Sequence, residues 1–134
     1  NIQKIINRYT SSPGVIVNGM AQIESQQEFF SSTIPKVVFR PDGRLLYMSR
    51  AGIPSNKTHG FTSAWKQICI YAFPLNTLAQ FSLAKEKTCF ENIEDIEILR
   101  FLEMGHDVNM IEVAASSIAV DTEADANKVR LLLE

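Results

Sequence analysis

The chain has 134 residues, is 46% hydrophobic and 21% charged, and carries a formal net charge of −2. That length fits one domain with one core, and the charge balance supplies no basic field for nucleic acid or an anionic membrane. No apolar run approaches the roughly 20 residues that cross a bilayer, and no signal-peptide pattern opens the chain. Cys69 and Cys89 form no CxxC pair and are expected to be reduced thiols of a cytoplasmic protein. The first residue is Asn1 rather than Met, so a processed chain or a fragment is expected.

In chain order, Ile2, Ile5 and Ile6 give an apolar face to a short helix through about Arg8, and the TSSPG stretch Thr10–Gly14 follows as a loop. Val15–Ile23 is β-branched and apolar and predicts a strand, with Gly19 marking a bulge in its middle. Ser25 caps one or two helical turns through Phe30, with Glu28 as its capping-box partner. Lys36–Arg40 and Leu45–Ser49, separated by Pro41-Asp42-Gly43, predict a hairpin. Arg50–Gly60 is polar and too long for a tight turn, which makes it a candidate functional loop. Trp65–Phe73 predicts a strand with Ile68 and Ile70 on one face and Gln67, Cys69 and Tyr71 on the other. Pro74 opens a helix carrying Leu75, Leu78 and Ala79, and Lys85–Cys89 is a charged connector.

The next stretch, NIEDIEILRFLEMG, predicts one helix over Asn92–Gly105. Ile93, Ile96, Leu99 and Leu102 recur at helical spacing, Asn92 can cap the start, and Gly105 can take the left-handed conformation that ends it. Its carboxylates Glu94, Asp95, Glu97 and Glu103 are expected to face water. Asp107–Val113 predicts a strand, Ala114–Ser117 a loop, Ile118–Val120 a short apolar segment, and Thr122 caps a last helix. Helices alternate with strands, but a hairpin and a long loop intervene, which argues for an α/β fold with a mixed sheet.

Several positions can carry chemistry. Arg50, after a buried strand, can hold a carboxylate or phosphate by two parallel hydrogen bonds, or form a surface salt bridge. Gln67 and Tyr71 can offer an amide and a phenol to a polar ligand, or lie under another layer. Asp121 stands at a strand end, where a carboxylate suits Mg²⁺ or favours the N-terminus of the next helix. Asp125 has only the helix role, and His59 and His106 are too isolated for zinc. There is no Gly-rich phosphate loop, GxSxG or HExxH, so these residues alone build no complete catalytic set.

The segments together resemble a family. Leu46–Pro54, LYMSRAGIP, resembles the LYFSRxPIP stretch of the 3-deoxy-manno-octulosonate (Kdo) cytidylyltransferases, and Lys36-Val37-Val38 resembles the KVV ahead of it. Gln67–Phe73, QICIYAF, is similar to their HxGIYAY strand. Glu91–Gly105 is similar to their E-x-x-E-x-L-E-Q-L-R-x-L-E-x-G helix, and Val120–Asp125, VDTEAD, to their VDTPED turn.

The resemblance implies a Rossmann-like nucleotidyltransferase fold of which residues 1–134 are the C-terminal, acceptor-binding and dimerisation half. It implies an enzyme that joins CTP and a 3-deoxy-sugar acid, taken as Kdo, to give a CMP-sugar and pyrophosphate, with Mg²⁺ as cofactor and a homodimer as assembly. Carried over by position, Arg50 contacts the acidic sugar, Gln67 takes the place of a binding histidine, Tyr71 and Glu97 line the sugar hydroxyls, and Asp121 ligates Mg²⁺. The family's phosphate loop and first metal-binding aspartate lie upstream of anything that aligns, so the chain alone is expected to be inactive. The departures at Gln67, Cys69, Phe73 and Ile98 leave room for another ulosonic acid or a phosphonate as acceptor. A non-catalytic sugar-binding or dimerisation module is the alternative from another class.

Overall fold

The computed structural model describes residues 1–115, 123, 127 and 129–131. The elements run α1 (Ile2–Ser11), β1 (Ile16–Gln22), α2 (Gln26–Phe30), β2 (Lys36–Phe39), β3 (Leu45–Ser49), β4 (Trp65–Ala72), α3 (Leu75–Leu83), α4 (Cys89–Glu94), α5 (Ile98–Glu103) and β5 (Val108–Glu112). Five strands form one sheet in the order β3-β2-β4-β1-β5. β1 and β5 are parallel and the other neighbours antiparallel, so the sheet is mixed. The segment Ile118–Val120, the helix cap Thr122 and the candidate ligands Asp121 and Asp125 lie outside the described residues. Among the described residues no helix is long and apolar enough to cross a membrane.

The hairpin closes where Gly43 adopts φ +89°, a conformation that costs glycine no Cβ clash, and Arg40 and Arg44 pair across the turn at 2.8 Å. Ser25 caps α2 by accepting from the Glu28 N–H, but the Glu28 carboxylate reaches back to the N–H of Glu24, one residue before the cap. One sheet face is covered by α1, whose Ile5 packs with Val17, Ala21, Ile68 and Val113. Ile2 and Ile6, expected on the same apolar face, are exposed. The other face carries the larger core, in which Met20, Val37 and Met48 of the sheet meet Ile98, Leu99 and Phe101 of α5.

Glycine at 19 does mark an irregularity in β1. Asn18 faces Tyr71 and Gly19 faces Ile68, so Cys69 and Ile70 have no opposite number in β1. A Cβ at Gly19 would stand 3.1 Å from Val113 Cγ2 and 3.3 Å from the Ile68 carbonyl, which is why the close approach takes glycine.

The single helix expected over Asn92–Gly105 is two helices. Thr88, not Asn92, stands at the cap of the first, and the Glu91 carboxylate reaches back to accept from the Thr88 N–H at 3.1 Å. Asp95 then turns left-handed at φ 53°, a conformation that aspartate tolerates better than most residues, and the chain restarts as α5. The break changes which side chains face the core. Ile96 and Leu99 are buried as expected, but Ile93 is 72% exposed and Ile98 and Phe101 go inside. The end is as the sequence predicts: Gly105 has φ +85°, its N–H bonds to the Leu102 carbonyl, and the His106 N–H bonds to the Phe101 carbonyl. Helix α3 leaves Leu75, Leu78 and Leu83 exposed and is attached to the core through Thr77 and Phe81.

Candidate functional site

The carboxylates of this region do not all face water. Glu91 is 1% exposed and accepts two hydrogen bonds from Arg100, at 2.5 Å from Nε and 2.7 Å from Nη2. Burial pushes the Glu91 carboxyl up, but Arg100 and the Thr88 N–H outweigh it and hold it below the usual carboxylate range. Arg100 also donates to the Ala84 carbonyl and lies 4.1 Å over the Phe81 ring, tying α3 to the α4–α5 pair. Glu94 turns toward β3 and accepts from Ser49 Oγ at 2.6 Å, the Arg50 N–H at 2.9 Å and Tyr47 Oη at 3.3 Å. Burial works against its charge, and these donors together bring its pKa below the ordinary value. Glu103 accepts from the N–H groups of Phe90 and Glu91 at the start of α4.

Arg50 sits where β3 ends. Its Nε donates to the Glu94 carbonyl at 2.6 Å, Nη2 to the Asp95 carbonyl and Nη1 to the Ser32 carbonyl, each at 2.9 Å. Breaking the helix at Asp95 strands the last carbonyls of α4, and the guanidinium satisfies them. Three of its N–H groups are thus committed, and two of the five remain. Beneath it, fully buried Lys36 donates to the carbonyls of Ser31, Ile34 and Arg50 at 2.5–2.7 Å. Burial and the Arg50 charge draw the Lys36 pKa down, and Glu94 opposes them. Three carbonyls around three ammonium hydrogens explain how a lysine survives inside an apolar strand.

Strand β4 brings Gln67 and Tyr71 onto the face that looks toward α5. Gln67 Nε2 donates to Tyr71 Oη at 3.0 Å and to Asn18 Oδ1 at 3.1 Å. Tyr71 stacks on Phe73, which packs on Phe101, which stacks on Phe81, a ladder of rings that fixes the phenol's plane. Burial pushes the Tyr71 pKa up, and the neighbouring Cys69 thiol and Glu97 carboxylate push it further, so the phenol keeps its proton at neutral pH. Glu97 is exposed and lies two residues past Asp95, whose carbonyl holds Arg50. The Glu97 charge acts on the Tyr71 phenol, but among the described residues no hydrogen bond or salt bridge joins Arg50 to Glu97 or to Tyr71. Asp121, the remaining expected member, is outside the described residues.

Asn18, Lys36 and Glu94 are the polar participants that sequence reasoning passed over. Asn18 and Lys36 were visible as lone polar residues in apolar strand segments, VIVNG and PKVV. Glu94 gave no local signal, because its partners are 44 to 47 residues away. Two shallow grooves, of about 270 and 420 Å³, lie at the hairpin end between Arg40, Arg44 and Asp107, and among the described residues neither is lined by Arg50, Gln67, Tyr71 or Glu97. Cys69 and Cys89 are free and exposed.

The chain matches the family model described as "Cytidylyltransferase" over residues 1–111. The 3-deoxy-manno-octulosonate cytidylyltransferase of Acidobacterium capsulatum is 38% identical over 122 residues, covering 90% of this chain and 49% of that protein. That of Chlamydia felis is 31% identical over 133 residues, covering 98% of this chain and 52% of its own length. The solved structure of a CMP:2-keto-3-deoxy-manno-octonic acid synthetase complexed with CTP superposes with a TM-score of 0.88 at 28% identity, over 98% of this chain and 54% of that one. The chain thus spans about half the length of the relatives it matches, and its mixed sheet is part of a nucleotidyltransferase fold. With the model match reaching from Asn1 into β5, this chain belongs to the cytidylyltransferase family.

Proposed function

We propose that the chain is the C-terminal, acceptor-binding half of an enzyme that joins CTP to a 3-deoxy-sugar acid, taken first as Kdo. The observation that carries this is the Gln67–Tyr71 hydrogen bond on the face of β4 that looks toward α5, with the Glu97 charge acting on the phenol. In the reaction, the anomeric hydroxyl oxygen of the acid attacks the α-phosphorus of CTP. The P–O bond to the β,γ-diphosphate breaks, pyrophosphate leaves, and the hydroxyl proton passes to solvent. Such transfer depends on positioning and on charge stabilisation. Tyr71 and Gln67 hold acceptor hydroxyls, Glu97 accepts from another, and the two uncommitted N–H groups of Arg50 meet the acid's carboxylate.

Mg²⁺ belongs to the same proposal. Among the described residues no three His, Cys, Asp or Glu side chains come together as a metal cage. The donor assigned by the resemblance of Val120–Asp125 to the family's VDTPED turn is Asp121, which lies outside the described residues and whose hard carboxylate oxygens are the kind Mg²⁺ takes. When bound, the ion neutralises charge on the phosphates. A homodimer is part of the proposal too, and α3, with Leu75 85% and Leu83 78% exposed, offers apolar surface for it.

The test is pyrophosphate release by the full-length protein with CTP, Mg²⁺ and a panel of sugar acids and phosphonates. Kdo or a related ulosonic acid is the expected acceptor, and a phosphonate as sole acceptor would displace the sugar-acid reading. The 134-residue chain by itself is expected to release no pyrophosphate, and measurable turnover would refute its assignment as the acceptor half alone.

A further inference from the structure

Asn18 belongs to none of the motifs that carry the family resemblance, yet it is fully buried in the middle of β1 beside the candidate site. Its hydrogen bonds fix more than its own position. Nδ2 donates to the carbonyls of Ile68 at 2.9 Å and Ile70 at 3.1 Å, the two that the irregular β1–β4 pairing leaves near it. Carbonyls only accept, so the amide nitrogen must face them and Oδ1 must face the other way. There it needs a donor, and Gln67 Nε2 is 3.1 Å away. That fixes the second amide in turn: both hydrogens of Gln67 Nε2 are used, one on Asn18 Oδ1 and one on Tyr71 Oη. Two groups are left over. Gln67 Oε1 has no donor within the relay, and Tyr71, having accepted from Gln67, keeps its own hydrogen to give.

We infer that Asn18 is a positioning residue, which orients the Gln67 amide and through it the Tyr71 hydroxyl so that the face presents one acceptor and one donor to a polyhydroxylated substrate. The inference rests on the reading of this face as the acceptor site. A hydroxyl of the sugar acid donates to Gln67 Oε1, and another oxygen accepts from the Tyr71 O–H. A flipped Gln67 amide would present two donors instead, the wrong match for a hydroxyl that must give its proton to the glutamine.

The test is a double-mutant cycle in the full-length enzyme, with Kdo as the probe. Asn18→Ala is expected to raise the KM for Kdo about tenfold and leave the KM for CTP unchanged. In a Gln67→Ala background the same substitution is expected to have no further effect, because Asn18 acts through Gln67. If Gln67→Ala raises the KM for Kdo but the two effects multiply, or Asn18→Ala has none, the role of Asn18 falls and the acceptor site stands. If Gln67→Ala leaves the KM unchanged, or Kdo is not turned over, the acceptor-site reading falls. A readout that needs no substrate is the Tyr71 ring carbon resonance in tyrosine-labelled protein. It is expected to move in Asn18→Ala as it does in Gln67→Ala, and an unmoved resonance overturns the relay. If Asn18→Ala does not fold, Asn18→Thr serves in the same cycle, since it supplies a β-branched residue suited to a strand but withdraws the amide oxygen from Gln67.

Discussion

The Glu91–Arg100 pair and the Asn18–Gln67–Tyr71 relay are both largely hidden hydrogen-bond networks, and they differ in what they leave over. In the first, the carboxylate meets the guanidinium with two hydrogen bonds, a third N–H goes to a backbone carbonyl, and the cation rests on a phenyl ring. Its polar groups face one another, and its effect is to hold three helices together. In the second, Asn18 is satisfied at both ends, but the glutamine oxygen and the phenol hydrogen are unclaimed by the relay. A network that closes on itself is scaffold, and one that ends in an oriented, unclaimed donor and acceptor can bind something. Arg50 stands between the two cases: like Arg100 it has three N–H groups engaged and two to spare, but its partners are backbone carbonyls and its side chain is less buried.

The contrast can be broken in several ways. The largest effect is expected from Glu91→Gln, which leaves the Arg100 charge without its anion. The melting temperature should fall on the order of 10 °C. A melting curve within a degree of the parent would show that the pair is not structural. Next comes Tyr71→Phe in the full-length enzyme, which removes the phenol O–H but keeps the stacked ring. The KM for the sugar acid should rise about five- to tenfold with the melting temperature unchanged, because one hydrogen bond is worth roughly 1 kcal/mol. Steady-state kinetics with each substrate varied in turn reads this directly, and an equal rise for CTP would place Tyr71 elsewhere in the reaction.

The carboxylates supply a pH dependence with a definite sign. Glu91 and Glu94 have folded pKa values below the ordinary value, so the unfolded chain takes up their protons first as pH drops. Their stabilisation is complete above the unfolded glutamate pKa of about 4.3 and is lost as pH falls through the folded values. Urea midpoints measured from pH 7 downward should trace that loss. Ser49→Ala removes the 2.6 Å hydrogen bond to Glu94. It should cost about 1 kcal/mol near neutral pH and make the acid loss shallower. The smallest effect is expected for Ile93→Ser. The broken helix leaves Ile93 72% exposed, so stability should change by no more than about 0.5 kcal/mol. A continuous helix would bury it, and a loss of several kcal/mol would restore that reading.

Much of the fold was legible because its signals are local. The β-branched apolar run VIVNGMAQI, the alternation in WKQICIYAF, the Pro-Asp-Gly turn and the glycine at 105 each act within a few residues, and the five strands lie within a residue or two of their expected bounds, whereas α1 runs three residues past Arg8. The face assignment of β4 held for the same reason: side chains alternate whatever the sheet's partners are. Of the candidate site, the shared face of Gln67 and Tyr71 was legible, because they lie four residues apart on one strand.

What the sequence could not carry is everything that depends on atoms far apart along the chain. Helical spacing from Ile93 to Leu102 argued for one helix, and on local terms it was the better answer. The tertiary structure decided otherwise, because Arg50 satisfies the carbonyls that a break at Asp95 releases, and Ser49, Tyr47 and the Arg50 N–H take the Glu94 carboxylate. Those partners lie 44 to 47 residues upstream, a separation to which no periodicity responds. Periodicity fixes which residues can form a helix; where it stops is set by whatever satisfies the groups at its end.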